Sequence, residues 1–184
     1  MTLTVEDGSV VAGANSYVSV ADMEAWAEAR NIDLLAVYAA TRKITEPTGD
    51  DATAAIEGLL INAMDYLESL RGEYQGMKTA KDNPLQWPRS SVIIDGWSLD
   101  DDEIPDCLVQ AQMRLAYDCA ALGDLTPVGD GRVIIHDEVV GAVVTKYADH
   151  GNSNPQPQLT AARALIAPLL KSGLFGGAGI AIRV

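Results

Sequence analysis

The chain has 184 residues, 48% of them hydrophobic, which is enough apolar material for a buried core and argues against wholesale disorder. Its 26 acidic and 13 basic residues leave a formal charge of −13. Such a charge repels phosphates and argues against a surface that grips nucleic acid, though not against one that DNA slides past without sticking.

Residues 2–17 alternate polar and apolar types and are rich in Gly, Asn and Ser; they read as an extended arm with a turn near Gly13-Ala14-Asn15. Ser19 fits an N-cap, and Asp22 three residues on is a short stand-in for the Glu or Gln of a capping box. A first helix is expected over 20–30, with Met23, Trp26 and Ala27 on one face. Residues 32–49 are ambiguous: Leu34, Leu35, Val37 and Tyr38 allow a short helix before Pro47, Thr48 and Gly49 break the chain. Asp50 or Asp51 then caps a second helix with apolar residues at 56, 59, 60, 63, 64 and 67, the 3.6-residue period. That helix ends near Leu70, with Arg71 in its last turn and Gly72 beyond.

The connector 83–96, NPLQWPRSSVIIDG, is a heavy load for a loop. Pro88 pushes Trp87 toward extended geometry. There the indole can lie flat over the neighbouring helices, with the Arg89 guanidinium free to pair with a carboxylate nearby. Base stacking by Trp87 with Arg89 on a phosphate is the alternative. One aromatic and one Arg in an acidic chain favour a packed joint or a protein interface, formed by Trp87, Pro88 and Arg89.

A third helix is expected from Pro105, a good first helical residue, behind the acidic run 100–103, which suits the positive end of the helix dipole. Leu108, Ala111, Leu115, Cys119 and Leu122 form its stripe and Gly123 stops it. Cys107 and Cys119 lie twelve positions apart on this helix, about 18 Å along its axis, too far to bridge. Both read as small core residues.

Residues 132–147 change period and read as a β-hairpin with its turn near His136-Asp137-Glu138 and a bulge at Gly141. Its strands are apolar on both faces, at Val133, Ile135, Val140 and Val143 among others, so they need cover from elsewhere. Residues 152–158 form a polar linker. Thr160 is expected to cap a last helix over 161–170, with Pro168 bending it or marking its end. The tail then turns Gly-rich and strand-like. Leu174, Phe175, Ile180, Ile182 and Arg183 have no sequence-local partner there, and the tail can add a strand to another chain. The chain therefore divides into an arm (1–18), a helical domain (19–170) and a tail (171–184). The fold class is mainly α: a small bundle of about four helices with a β-hairpin and extended terminal arms.

Chemistry is harder to find. His136, Asp137 and Glu138 are neighbours that point apart, and His150 is the only other histidine. No zinc-type Cys/His spacing, no calcium-loop spacing, no phosphate loop and no nucleophile elbow is present. No enzyme, metal or cofactor is expected. With no signal-like start and no apolar run of about 18 residues, a soluble cytosolic protein without membrane contact is expected.

Several blocks carry a family resemblance. LTVEDGSVVAGANSYVSVADMEAWAEAR at the start, AMDYLESLRGEYQG, PLQWPRSSVIIDGWSLDDDEIPDCLVQAQMRLAYDCA, EVVGAVVTKYAD and ALIAPLLKSG resemble, in order and over nearly the whole chain, the head–tail adaptor (head-completion) family of tailed bacteriophages, also labelled DnaT-like. The chain departs from that pattern at 32–51, which lack a Lys- and Ala-rich run, and at the additional Trp97. The resemblance implies a non-enzymatic helical virion protein. Its subunits form a ring, expected to be a dodecamer, between the portal and a tail terminator, stopper or other neck protein, after assembly in the host cytoplasm. Duplex DNA passes through the lumen without specific binding. The hairpin 132–147 and the tail would contact neighbouring subunits or the portal. The DnaT-like label implies the alternative, a single-stranded-DNA-binding protein of replication.

Overall fold

The structure is a computed structural model and describes residues 2–125, 134–139, 143–147 and 159–171. Five α-helices dominate it: α1 (Val20–Glu28), α2 (Leu34–Arg42), α3 (Asp50–Ser69), α4 (Asp106–Leu122) and α5 (Thr160–Ile166), the last continued by a 3-10 turn, Ala167–Leu169. Strands occur in three short antiparallel pairs. These are β1 (Met77–Lys78) with β2 (Arg89–Ser90), β3 (Ile93–Ile94) with β4 (Trp97–Ser98), and β5 (Ile134–Val139) with β6 (Val143–Tyr147). The mainly-α class follows from this inventory. Among the described residues no helix is long and apolar enough to cross a membrane.

The core forms where the apolar stripe of α3 meets that of α4. Leu59, Leu60, Ala63 and Leu67 face Leu108, Ala111, Leu115 and Ala116, all at 1% exposure or less. Each fully buried leucine adds about 1.5–3 kcal/mol. α2 and α5 pack on α4, and α1 lies against α3. The α1 start is a full capping box: the Asp22 amide donates to Ser19 Oγ at 3.1 Å, and the Ser19 amide to Asp22 Oδ2 at 3.4 Å. The ambiguous segment is helical because Asp33 caps α2 through the Ala36 amide.

Four local expectations are corrected. Gly49, at φ 59°, occupies the N-cap of α3, so Asp50 and Asp51 lie in its first turn and act on the helix dipole rather than as caps. Pro105 is the N-cap residue of α4, not its first helical one. Thr160 opens α5 from inside, behind Leu159, and makes no capping bond. His136, Asp137 and Glu138 are strand residues, opposite Lys146, Thr145 and Val144. The ladder of β5 with β6 continues past these residues to the Val139–Val143 pair. The register irregularity lies between Ile134 and His136; Gly141 is outside the described residues.

The arm folds back on itself and onto the bundle. The Glu6 amide donates to the Ser16 carbonyl at 2.8 Å, and Ala14, Tyr17 and Val18 are buried. The Glu6 carboxylate, only 2% exposed, accepts from the amides of Gly8, Val10 and Val11 at 2.8–2.9 Å. Those bonds offset the cost of taking a charge out of water.

Candidate functional site

The Trp-Pro-Arg block sits beyond the C-terminus of α3, and its side chains turn inward. Trp87 is fully buried and Pro88 and Arg89 are buried with it; the Trp87–Pro88 peptide is cis. Trp87 meets Tyr74 edge-on, ring centroids 5.8 Å apart at 83°, a favoured aromatic geometry. Asn83 braces the loop from within. Its Nδ2 donates to the Trp87 carbonyl at 2.9 Å and its Oδ1 accepts from the Leu85 amide at 2.9 Å. The Gln86 amide donates to Glu68 Oε1 at 2.9 Å, fastening the block to the last turn of α3.

Arg89 does not pair with a carboxylate, contrary to expectation. Its Nε donates to the Gln75 carbonyl at 2.6 Å and Nη2 to the Gly76 carbonyl at 2.8 Å, while Nη1 reaches the carbonyl and Oε1 of Gln86 at 3.3 and 3.4 Å. The physical reason is the irregular backbone after α3, which leaves carbonyls that a planar five-donor head can satisfy together. Its guanidinium also stands 5.8 Å from the Tyr74 ring centre. Burial lowers the Arg89 pKa, partly opposed by Tyr74 and Tyr17, and burial raises the Tyr17 and Tyr74 phenols well above their ordinary range.

Other cations also have partners within the chain. Arg30 lies 4.2 Å from the Trp26 ring centre and Arg42 4.1 Å from that of Tyr38. Arg114 pairs with Asp118 at 3.0 Å. Lys78, Lys171 and Arg163 donate to the Asn83 carbonyl, the Gly72 carbonyl and the Tyr66 hydroxyl. Lys43, Arg71 and Lys81 are exposed, but Lys43 closes α2 while Arg71 and Lys81 follow the far end of α3. Most of the described cations therefore already have a partner within the chain.

Cys107 is half-buried and Cys119 buried, both free. Burial raises both thiols, for Cys119 against the lowering effect of Arg42, which disfavours the reactive thiolate. No cluster of His, Cys, Asp or Glu suited to a metal ion occurs among the described residues. Of the interface residues expected from the sequence, Ile135 and Val143 fall on β5 and β6. Val133, Val140, Leu174, Phe175, Ile180, Ile182 and Arg183 lie outside the described residues.

The feature that sequence reasoning missed is Trp97. It is 80% exposed on a hairpin whose turn residues, Asp95 (φ 52°) and Gly96 (φ 87°), are both left-handed, as an Asp-Gly hairpin turn requires. The Asp-Gly pair between apolar residues was the available signal.

A family model described as "Putative DnaT-like ssDNA binding protein" matches residues 1–184. The chain belongs to this family. No curated protein and no solved structure matches the chain. Membership in the DnaT-like family covers every block singled out in the sequence, including the Trp-Pro-Arg segment whose side chains are buried.

Proposed function

We propose that this DnaT-like protein is a structural head–tail adaptor of a tailed-phage neck, without catalytic activity or cofactor, that holds other protein molecules around passing duplex DNA. The observation that supports this reading is the inward turn of Trp87 and Arg89 in a chain of charge −13. The residues best suited to stack a base and hold a phosphate are committed to Tyr74 and to backbone carbonyls instead. Like charge facing the genome keeps it mobile. In this reading the partners are further copies in a ring, the portal, and a tail-side neck protein, contacted through the hairpin 132–147 and the tail 171–184.

The family description favours a second reading, a single-stranded-DNA-binding protein. That function needs a cationic groove with exposed stacking rings, and Trp97 is the exposed ring that could serve it.

The test has two arms. Co-expression with the portal of the same phage, viewed by negative stain, is expected to show a ring of this protein on the portal. Anisotropy of a labelled thymidine oligonucleotide in about 0.15 M salt is expected to show no tight binding. Nanomolar binding that weakens steeply with salt, with no portal association, would overturn the adaptor reading in favour of the second.

A further inference from the structure

Exposed apolar side chains lie beyond the C-terminal end of α3, with Ile93 and Trp97 on opposite faces of one hairpin. Met77 on β1 is 67% exposed, Ile93 on β3 57% and Trp97 on β4 80%. The β3–β4 hairpin that carries two of them is held at its base. Val92 is fully buried, the Leu99 amide donates to the Val92 carbonyl at 3.0 Å, and β3 lies against the 167–169 turn. Trp97 is therefore presented on a stiff support, as an interface anchor requires. Between the hairpin, β1 and the arm lies an open depression of about 910 Å³, whose lining includes Met77, Ser98, Leu99, three carboxylates at Asp100–Asp102 and one cation, Lys78, with Trp97 outside it.

The charge around this end of the molecule selects its occupant. Asp95, Asp100, Asp101, Asp102 and Glu103 are all exposed, and none forms an ion pair among the described residues. Five exposed carboxylates within six residues of Trp97 along the chain disfavour a nucleic-acid backbone. A second copy of a −13 chain meets a similar penalty. A segment in which Arg or Lys alternates with apolar side chains meets none: its cations neutralise the carboxylates, and a guanidinium or apolar group covers the Trp97 face. We propose that this end of the molecule is a docking face for such a cationic–apolar segment of a partner protein, with Trp97 as anchor and Asp100, Asp101 and Asp102 as charge partners. The inference rests on the adaptor reading for its biological setting only.

The experiment uses the full chain and a labelled peptide of four Leu-Arg repeats. Trp97 is the readily solvated indole, against 8% exposure for Trp26 and none for Trp87, so its emission should shift as the peptide binds. Trp97→Ala, and separately the triple variant Asp100→Asn, Asp101→Asn, Asp102→Asn, should weaken binding by about tenfold, the loss expected for one anchor. The triple variant Glu46→Gln, Asp50→Asn, Asp51→Asn removes as much charge at the other end of α3, about 30 Å away, and should leave affinity within about twofold. Equal loss in both triples, no effect of Trp97→Ala, or no peptide binding would overturn the proposal. Trp97-dependent oligonucleotide binding would reassign the face to nucleic acid, and Trp97-dependent self-association in sedimentation would reassign it to a second copy. Peptide binding that holds while no ring forms on the portal would sink the adaptor reading and leave the docking face standing.

Discussion

The Trp87 backbone amide donates to the Tyr17 hydroxyl oxygen at 3.1 Å, across 70 residues of sequence. Both residues are buried, so the bond locks the arm against the connector after α3. Tyr17→Phe strands a buried N–H and should cost about 1–3 kcal/mol. Trp87→Ala removes the ring that Tyr74 packs against and should cost about 3–5 kcal/mol. Urea denaturation of the full chain measures both; unchanged midpoints would refute the packing role.

Alkaline pH should destabilise the fold through the same cluster. Burial, followed by the charge of Glu68, raises Tyr17 and Tyr74 above their ordinary value of 10.0. Above that pH the unfolded chain releases protons that the folded chain keeps. The stabilising contribution is therefore complete below about pH 10 and declines above it, by up to about 1.4 kcal/mol per pH unit for each tyrosine. Tyr74→Phe should remove one tyrosine's share of that slope, checked by urea midpoints from pH 8 upward. An identical slope in the variant would contradict the assignment.

Arg89→Met and Arg89→Lys should differ. Methionine leaves the Gln75, Gly76 and Gln86 carbonyls without their donor, a loss of at least about 3 kcal/mol. Lysine keeps a charge but lacks the planar fork and should fall between methionine and the parent. Equal losses in the two variants would mean that the fork geometry is unimportant.

Two glycines in the arm separate steric from conformational cost. Gly8 has φ 103°, and a Cβ there would overlap the Asp102 carbonyl oxygen; Gly13 has φ 75° with open space around it. Gly13→Ala should cost about 1–2 kcal/mol for the left-handed backbone alone. Gly8→Ala should cost about 2–4 kcal/mol, and in hydrogen exchange it should deprotect the Gly8 and Val10 amides, which Glu6 accepts. Similar behaviour of the two would show that the arm does not rest on residues 100–102.

What could be read from the sequence were features whose cause is local. The Ser19–Asp22 box, the apolar stripe of α3 and the Gly123 stop each depend on residues within a turn or two, and each is in place. Helix starts were less legible: Gly49, Pro105 and Leu159 are caps by backbone geometry rather than by side-chain chemistry. His136-Asp137-Glu138 resembled a turn because three polar residues interrupt an apolar run, yet a strand needs a partner, not an apolar side chain at every position. Trp87 itself is buried. The partners of Arg89 could not be foreseen, because backbone carbonyls carry no residue signature. Nor could composition tell exposed Trp97 from buried Trp87; only the tertiary environment distinguishes them.

One buried amide ties three segments of the chain together. Gln112 on α4 is fully enclosed: its Oε1 accepts from the Tyr17 amide at 2.9 Å, and its Nε2 donates to Ser16 Oγ at 2.8 Å and to the Leu60 carbonyl at 3.2 Å. Apolar stripes tolerate a helix that slides or rolls by a fraction of a turn, since one oily contact replaces another. This carboxamide does not, because any such slip would orphan polar groups on α3, α4 and the arm together. It works as an alignment pin, setting the phase of α4 against α3 only when the N-terminal segment is also seated.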